Sequence, residues 1–235
     1  MPRKKSHKNI LILGATSEMA LAFINLIIDN WHHCTFYLLA RNTATLLELK
    51  NRGEALGHQV LLYTYDLMNP PELHFSGIDY YVVYAGWLPP DNSEYEKAMV
   101  INNTGIQHFT NKIIASNLNH LEHIIITGSI AGVRVRPANK AYGNSKAGLH
   151  HYARGLQKKH HSIITSTIVI SGFVKTRMII GRKTLGLLTV SPAYMALKYC
   201  AWLETKPKTG WSQPVWRLIA IGLKMMPEFI VKRLK

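Results

Sequence analysis

The chain has 235 residues, of which 47% are hydrophobic and 17% charged, enough for a sizeable core and incompatible with a disordered chain. Twenty-eight Lys and Arg against 13 Asp and Glu leave a formal charge of +15 at pH 7. That balance points to a polyanionic partner: nucleic acid, an anionic membrane face or a phosphate-bearing ligand. Cys34 and Cys200 stand far apart and outside any CxxC spacing, so nothing supports a disulfide scaffold and a reducing cytoplasm is expected.

Arg3, Lys4, Lys5 and Lys8 open the chain like the charged start of a signal peptide, but the apolar run at 10–13 ends in Gly14. It is too short for a secretory apolar region of about 7–15 residues and reads as a strand. The longest apolar uncharged run, 162–174, falls short of the roughly 20 residues that span a bilayer, so no transmembrane helix is expected. In chain order the pattern predicts a strand at 9–13, a helix at 17–29, a strand at 35–39 and a helix at 43–56. Strands follow at 60–65 and 80–84, a long helix at 94–117 and a strand at 123–127. A helix at 142–159 and a β-branched strand at 163–170 complete the pattern. Continuous apolar strands alternating with helices predict one doubly wound α/β domain with a parallel sheet. That domain is expected over 1–210, with 211–235 a basic amphipathic helical extension.

Gly14 follows the first strand and opens Gly-Ala-Thr-Ser-Glu-Met-Ala. Such a turn lets helix amides face a pyrophosphate, although many strand–helix turns contain glycine and Ser17 serves equally as a plain N-cap. The second strand leads into Arg41 and Asn42. In a Rossmann-type fold that strand end approaches the adenosine ribose, where an acidic residue would select a free 2′-hydroxyl and a planar cation suits a 2′-phosphate. This favours NADP over NAD; the alternative for Arg41 is a solvated residue at a helix start. Tyr142 and Lys146 are four residues apart and share a helix face. A lysine cation beside a phenol favours the phenolate, making Tyr142 a proton donor suited to neutral pH. Ser129 follows an apolar strand and so sits at the carboxyl end of the sheet, where open α/β folds bind ligands.

With these residues the chain resembles the short-chain dehydrogenase/reductase family over nearly its whole length. The matching pieces stand in the family's order: Gly14, Asp66-Leu67, Ala85-Gly86 and Asn102-x-x-Gly105. Ser129 in Gly-Ser-Ile-Ala-Gly, Tyr142-x-x-x-Lys146 and Gly172-x-Val174-x-Thr176 follow. The resemblance implies that Tyr142 donates a proton, Ser129 holds a carbonyl oxygen and Lys146 binds the nicotinamide ribose. It implies that Asn102 orders a water linking Lys146 to solvent, completing a Ser-Tyr-Lys-Asn tetrad. Cofactor contacts are implied for Gly14, Thr16, Ser17, Met19, Arg41, Asn42, Asp66, Leu67, Ala85 and Gly86, and for Tyr142, Lys146, Val174 and Thr176. The chemistry implied is hydride transfer from NADPH, in preference to NADH, to a ketone. A homodimer or homotetramer is also implied.

Four positions depart from the family pattern: Glu18 replaces its second glycine and Ala20 its third, Tyr84 the Asn of Asn-Ala-Gly, and Ser171 the Pro of Pro-Gly. The last is expected to loosen a backbone restraint. Stretches around Gly14, Arg41, Tyr142 and Trp216 are similar to the branch that contains decaprenylphosphoryl-2-keto-pentose reductases. In the tail, Trp216, Ile219, Leu223 and Met226 recur at helical spacing among Arg217, Lys224, Lys232, Arg233 and Lys235. That pattern fits either the interfacial layer of an anionic bilayer or an apolar stripe packed on the fold or a partner subunit. The +15 total charge and the basic N-terminus tip the balance to the membrane, so a cytoplasmic protein with peripheral contact to the membrane's cytoplasmic face is expected.

The branch resemblance implies a ketone on a lipid-linked sugar as substrate; by the family resemblance Met178, Ile179, Ile180, Leu185, Leu187 and Leu188 would form a greasy lid, which fits any apolar ketone. Rival expectations are a reductase of a 3-keto acyl, sphingoid or steroid-like compound, and a non-catalytic NADPH sensor. Nucleic-acid binding has only the charge behind it and is not expected. The histidines, including His120-x-x-His123, lack a completing Cys or carboxylate, so no metal site is expected.

Overall fold

The computed structural model describes residues 5–159, 164–181 and 186–231. Arg3, Lys4, Ile163, Leu185, Lys232, Arg233 and Lys235, all named above, lie outside the described residues. Seven strands form one sheet: β1 (Asn9–Leu13), β2 (Thr35–Ala40), β3 (Gln59–Thr64), β4 (Tyr80–Val83), β5 (His123–Thr127), β6 (Thr165–Ile170) and β9 (Thr209–Trp211). Their order is β3-β2-β1-β4-β5-β6-β9 and every pair is parallel. Because both faces are covered, the strands read as unbroken apolar runs; Ile124, Ile125 and Ile126 are all fully buried.

The period of two in β1 divides the core. Ile10 and Ile12 join the cluster under α1 (Glu18–Asn30), α2 (Leu47–Ala55) and α6 (Pro192–Thr205). Leu11 and Leu13 join the one under α4 (Gly105–Asn117) and α5 (Lys140–Lys159). Between β1 and β4 the strand order reverses, which opens a crevice at the carboxyl ends of the strands.

The expected helix at 94–117 is not continuous: α3 (Tyr95–Met99) and α4 are joined by a π turn over Val100–Thr104 that contains Asn102. Two short strands, β7 (Phe173–Val174) and β8 (Thr189–Val190), pair with each other beside the main sheet. Beyond β9 come α7 (Pro214–Met225) and α8 (Glu228–Val231), parted at Pro227. Helix α7 docks through Trp216, which is buried, meets Phe173 edge-on at 5.6 Å and fills the space a Cβ on Gly172 would need. Arg134 ties α8 down through the Glu228 carboxylate at 2.6 Å. Ile219, Leu223 and Met226 are half-buried with Trp216, while Leu218, Ile221 and Met225 form a second, exposed apolar face. No helix among the described residues is long and apolar enough to cross a membrane.

Candidate active site

Gly14 ends β1 with φ of +86°, a conformation glycine adopts without the penalty a Cβ brings. A Cβ there would also lie 2.5 Å from the Ala85 nitrogen, so the β1 turn and the β4 exit touch backbone to backbone. Ser17 occupies the N-cap position of α1, but its hydroxyl makes no capping bond. The first helical bond runs from Leu21 N–H to the Ser17 carbonyl at 2.8 Å, so the amides of Glu18, Met19 and Ala20 precede the bonded turns.

Ser129 follows β5 in extended backbone and its Oγ accepts from Ala131 N–H at 3.2 Å. The Ser129 turn presses on α5 so closely that a Cβ on Gly132 would sit 2.7 Å from the Lys146 carbonyl carbon. Lys146 is 3% exposed, and its Nζ donates to the Thr127 carbonyl at 3.1 Å. Burial pulls its pKa down to about 8. The ammonium lies 5.9 Å from the centre of the Tyr142 ring, one turn away on the same face, and Tyr142 itself is half-buried. A Cβ on Gly86 would stand 3.2 Å from Lys146 Nζ and 3.4 Å from Asn102 Oδ1, so a bare backbone faces both. Asn102 is fully buried: its Oδ1 accepts from Trp87 N–H at 2.7 Å, and its Nδ2 donates to the Trp87 carbonyl at 2.7 Å and Ser145 Oγ at 3.2 Å.

The remaining sequence-predicted contacts lie past the carboxyl ends of β2, β3 and β6 or in the turn into α1 and its first turn. Arg41 and Asn42 are exposed just past β2, with Asn42 Oδ1 accepting from Ala44 N–H at 3.0 Å. Asp66 follows β3 and accepts from Met68 N–H at 3.0 Å, while Leu67 packs 3.2 Å from the Cβ position of Gly105. Val174 is buried in β7, and Thr176 Oγ1 donates to the Val174 carbonyl at 3.3 Å. Thr16 and Met19 are half-buried beside Gly14 and at the start of α1. Lys146 is the observation that tests a dinucleotide here: among the described residues one carbonyl uses one of its three donors, and the vicinal hydroxyls of a ribose fit the other two. The uncapped start of α1 fits a pyrophosphate.

Of the residues that depart from the family pattern, Glu18 and Ser171 make hydrogen bonds and Tyr84 packs through its ring. Glu18 turns its carboxylate to Arg177 N–H at 2.6 Å, joining the start of α1 to the segment after β7. Tyr84 is buried against Tyr199, ring centres 4.7 Å apart, under α1 and α6. Ser171 does not loosen its turn as expected: its Oγ donates to the Gly128 carbonyl at 3.1 Å. Sequence reasoning missed Thr127, Trp87 and Ser145, whose links to the site run largely through backbone atoms. It also missed His150, whose Nε2 accepts from Ser129 N–H at 3.2 Å; its spacing four residues past Lys146 was the available signal.

Comparison with known proteins agrees with this geometry. The short chain dehydrogenase profile matches residues 8–184. An uncharacterised oxidoreductase of Mycobacterium tuberculosis is 33% identical over 116 residues, which cover 47% of this chain and 45% of that protein. The match thus spans about half the length of that relative. An uncharacterised oxidoreductase from the mprA 5′ region of Streptomyces coelicolor is 24% identical across 100% of this chain and 99% of its own. A short chain dehydrogenase from Burkholderia cenocepacia, solved with NADP, superposes with a TM-score of 0.76 at 15% identity, covering 96% of each chain. One from Sphingobium yanoikuyae, solved with NADPH, gives 0.74 at 15%, covering 94% of this chain and 97% of that one. At such identities the two superpositions speak for the fold alone; the profile match over 8–184 shows that this chain belongs to the short-chain dehydrogenase family.

Proposed function

We propose that the protein is an NADPH-dependent oxidoreductase that reduces a ketone on an apolar, lipid-linked sugar. The observation that carries this is the buried Lys146 ammonium beside Tyr142, on one helix face and packed against the Ser129 turn. A reduced nicotinamide dinucleotide, when bound, supplies the hydride that the carbonyl carbon accepts. Tyr142 Oη gives its proton to the carbonyl oxygen, so ketone, hydride and proton close to a secondary alcohol. Ser129 Oγ donates to the same oxygen and holds it against Tyr142. Lys146 binds the ribose hydroxyls and, as a nearby cation, favours the phenolate that proton transfer leaves. Asn102, whose amide is fixed by Trp87 and Ser145 in the π turn beside Gly86, orders the water that links Lys146 to solvent. Arg41 at the end of β2 pairs with a 2′-phosphate, which sets NADPH above NADH.

One feature supports the apolar part of the substrate class: a cleft of about 550 Å³ beside Thr176 is walled by Ile179, Ile180 and Val190 and suits an apolar chain. The sugar part rests on the resemblance to the polyprenyl-phosphate-linked branch. The exposed face of α7, with Leu218, Ile221 and Met225 beside Arg217 and Lys224, supports contact with an anionic membrane surface. We further propose a homo-oligomer, and a catalytic unit that runs through Trp211 at the end of β9, one residue past the boundary expected at 210, with the stretch after it as a membrane-contacting extension.

The test mixes the full chain with NADPH or NADH and four ketones: a polyprenyl-phosphate keto-sugar, a 3-keto acyl thioester, a 3-keto sphingoid and a 3-keto steroid. Turnover fastest with NADPH and the keto-sugar is expected. Preference for another ketone overturns the substrate, and NADPH binding without turnover of any of them overturns the reductase in favour of a sensor.

A further inference from the structure

Ser129 acts only if its Oγ is held where the carbonyl oxygen arrives, and a residue on a tight turn is held by its backbone. Two groups grip that backbone. On one side Ser171 contacts both neighbours of Ser129: its Oγ donates to the Gly128 carbonyl and its carbonyl accepts from Ile130 N–H at 2.8 Å. On the other, Ser129 N–H donates to His150 Nε2 at 3.2 Å. His150 is 3% exposed on α5, one turn beyond Lys146 and two beyond Tyr142. The imidazole is seated by two glycines: a Cβ on Gly128 would overlap its Nε2, and one on Gly132 would stand 2.8 Å from its Cε1. Both glycines of Gly-Ser-Ile-Ala-Gly therefore make room for this ring.

We infer that His150 is a positioning residue for the proposed ketone reduction, serving as a neutral hydrogen-bond acceptor that fixes Ser129 through its backbone amide. The inference rests on the role of Ser129 given above. An acceptor Nε2 carries no proton, so the ring is the neutral Nδ1–H tautomer. The groups facing it keep it so. Burial comes first, followed by the cations of Lys146 and Arg154 on α5 and Lys224 on α7, and together they pull its pKa down to about 3. One helix thus places proton donor, ribose-binding cation and serine brace at i, i+4 and i+8, tying the relative positions of Tyr142 and Ser129 to a single rigid element.

The test uses two variants and one measurement on the unaltered protein. His150→Leu removes the acceptor and keeps the bulk; it is expected to lower kcat about 10–100-fold while the NADPH Kd stays within about twofold. His150→Gln can place its Oε1 near the position of Nε2 and is expected to recover most of the loss. Equal kcat in His150→Leu and the unaltered enzyme, or equal impairment of both variants when both bind NADPH, overturns the inference. Should either variant fail to fold, 15N NMR of the unaltered chain decides. An imidazole unprotonated at Nε2 from pH 8 to pH 5 is expected; an Nε2–H tautomer, or titration near pH 6, overturns it. If the unaltered enzyme reduces no ketone at all, the proposed function fails instead, and the NMR result still reports on the Ser129–His150 bond.

Discussion

Ser171 Oγ donates to the carbonyl of Gly128 at 3.1 Å, joining the exit of β6 to the turn that carries Ser129. The family pattern places a proline at this position, and a proline has no hydroxyl to give. The restraint that the ring would impose on the backbone is here replaced by a bond to the neighbouring strand. Ser171→Ala deletes that bond inside a buried turn and is expected to cost about 1 kcal/mol in stability. With Ser129 less firmly held, kcat should fall about three- to tenfold, again with NADPH affinity intact. Urea unfolding and steady-state kinetics on the same preparations check both figures.

Lys146 carries a stability cost with a defined pH dependence. Its pKa is pulled down from 10.5 to about 8 by burial, so between these values the unfolded chain holds a proton that the folded chain lacks. Stability from this group therefore rises with pH from about 8 to about 10.5, and below about 8 the full penalty of the buried cation applies. Lys146→Met removes the charge at similar volume and is expected to raise Tm by roughly 5 °C at pH 7. That gain should shrink as pH climbs past 8 while turnover is lost at every pH. Thermal scans without nucleotide across pH 6–10 measure it.

Arg41 stands exposed past β2, where the adenosine end of the dinucleotide is expected. Arg41→Ala removes the cation proposed for the 2′-phosphate and should weaken NADPH binding about 10–100-fold. NADH binding should change by less than about threefold. Fluorescence titration with each nucleotide separates the two outcomes, and equal weakening of both would remove Arg41 from the site.

The two faces of α7 give opposite predictions. Leu218→Glu and Met225→Glu alter the exposed face, so Tm should hold while sedimentation with vesicles rich in phosphatidylglycerol declines about tenfold or more. Ala220→Glu would place a carboxylate in the buried face beside Trp216 and should destabilise the fold by several kcal/mol, about 3 or more. Vesicles of neutral phosphatidylcholine should bind neither the unaltered protein nor the exposed-face variants strongly.

Much of this was legible in the sequence where a physical period existed to read. The unbroken apolar runs of β1, β4 and β5 predicted a parallel sheet covered on both faces, and β1 lies at Asn9–Leu13 as expected. Tyr142 and Lys146 do share a face of α5, because four residues make roughly one turn. The π turn at Asn102 was not legible, since one widened turn leaves the apolar spacing of 94–117 almost unchanged. Strands β7 and β8 have two residues each and β9 three, too few for any alternation to show. The apolar stripe of α7 was visible, but which side met the fold depended on Gly172, whose missing side chain receives Trp216. The spacing of His150 from Lys146 put it on the catalytic face of α5, but its partner is a backbone amide, so no pattern of side chains reported its bond to Ser129.

The measurement closest to the central claim follows NADPH oxidation at 340 nm when the full chain meets a lipid extract of the source membranes, with Tyr142→Phe and NADH beside it. Turnover that requires both NADPH and Tyr142, with one secondary alcohol formed per NADPH consumed, is the predicted result. Tyr142→Phe should bind NADPH normally and turn over about 100-fold or more slowly. NADPH oxidation that persists undiminished in Tyr142→Phe would contradict the account, because the proton would then come from elsewhere.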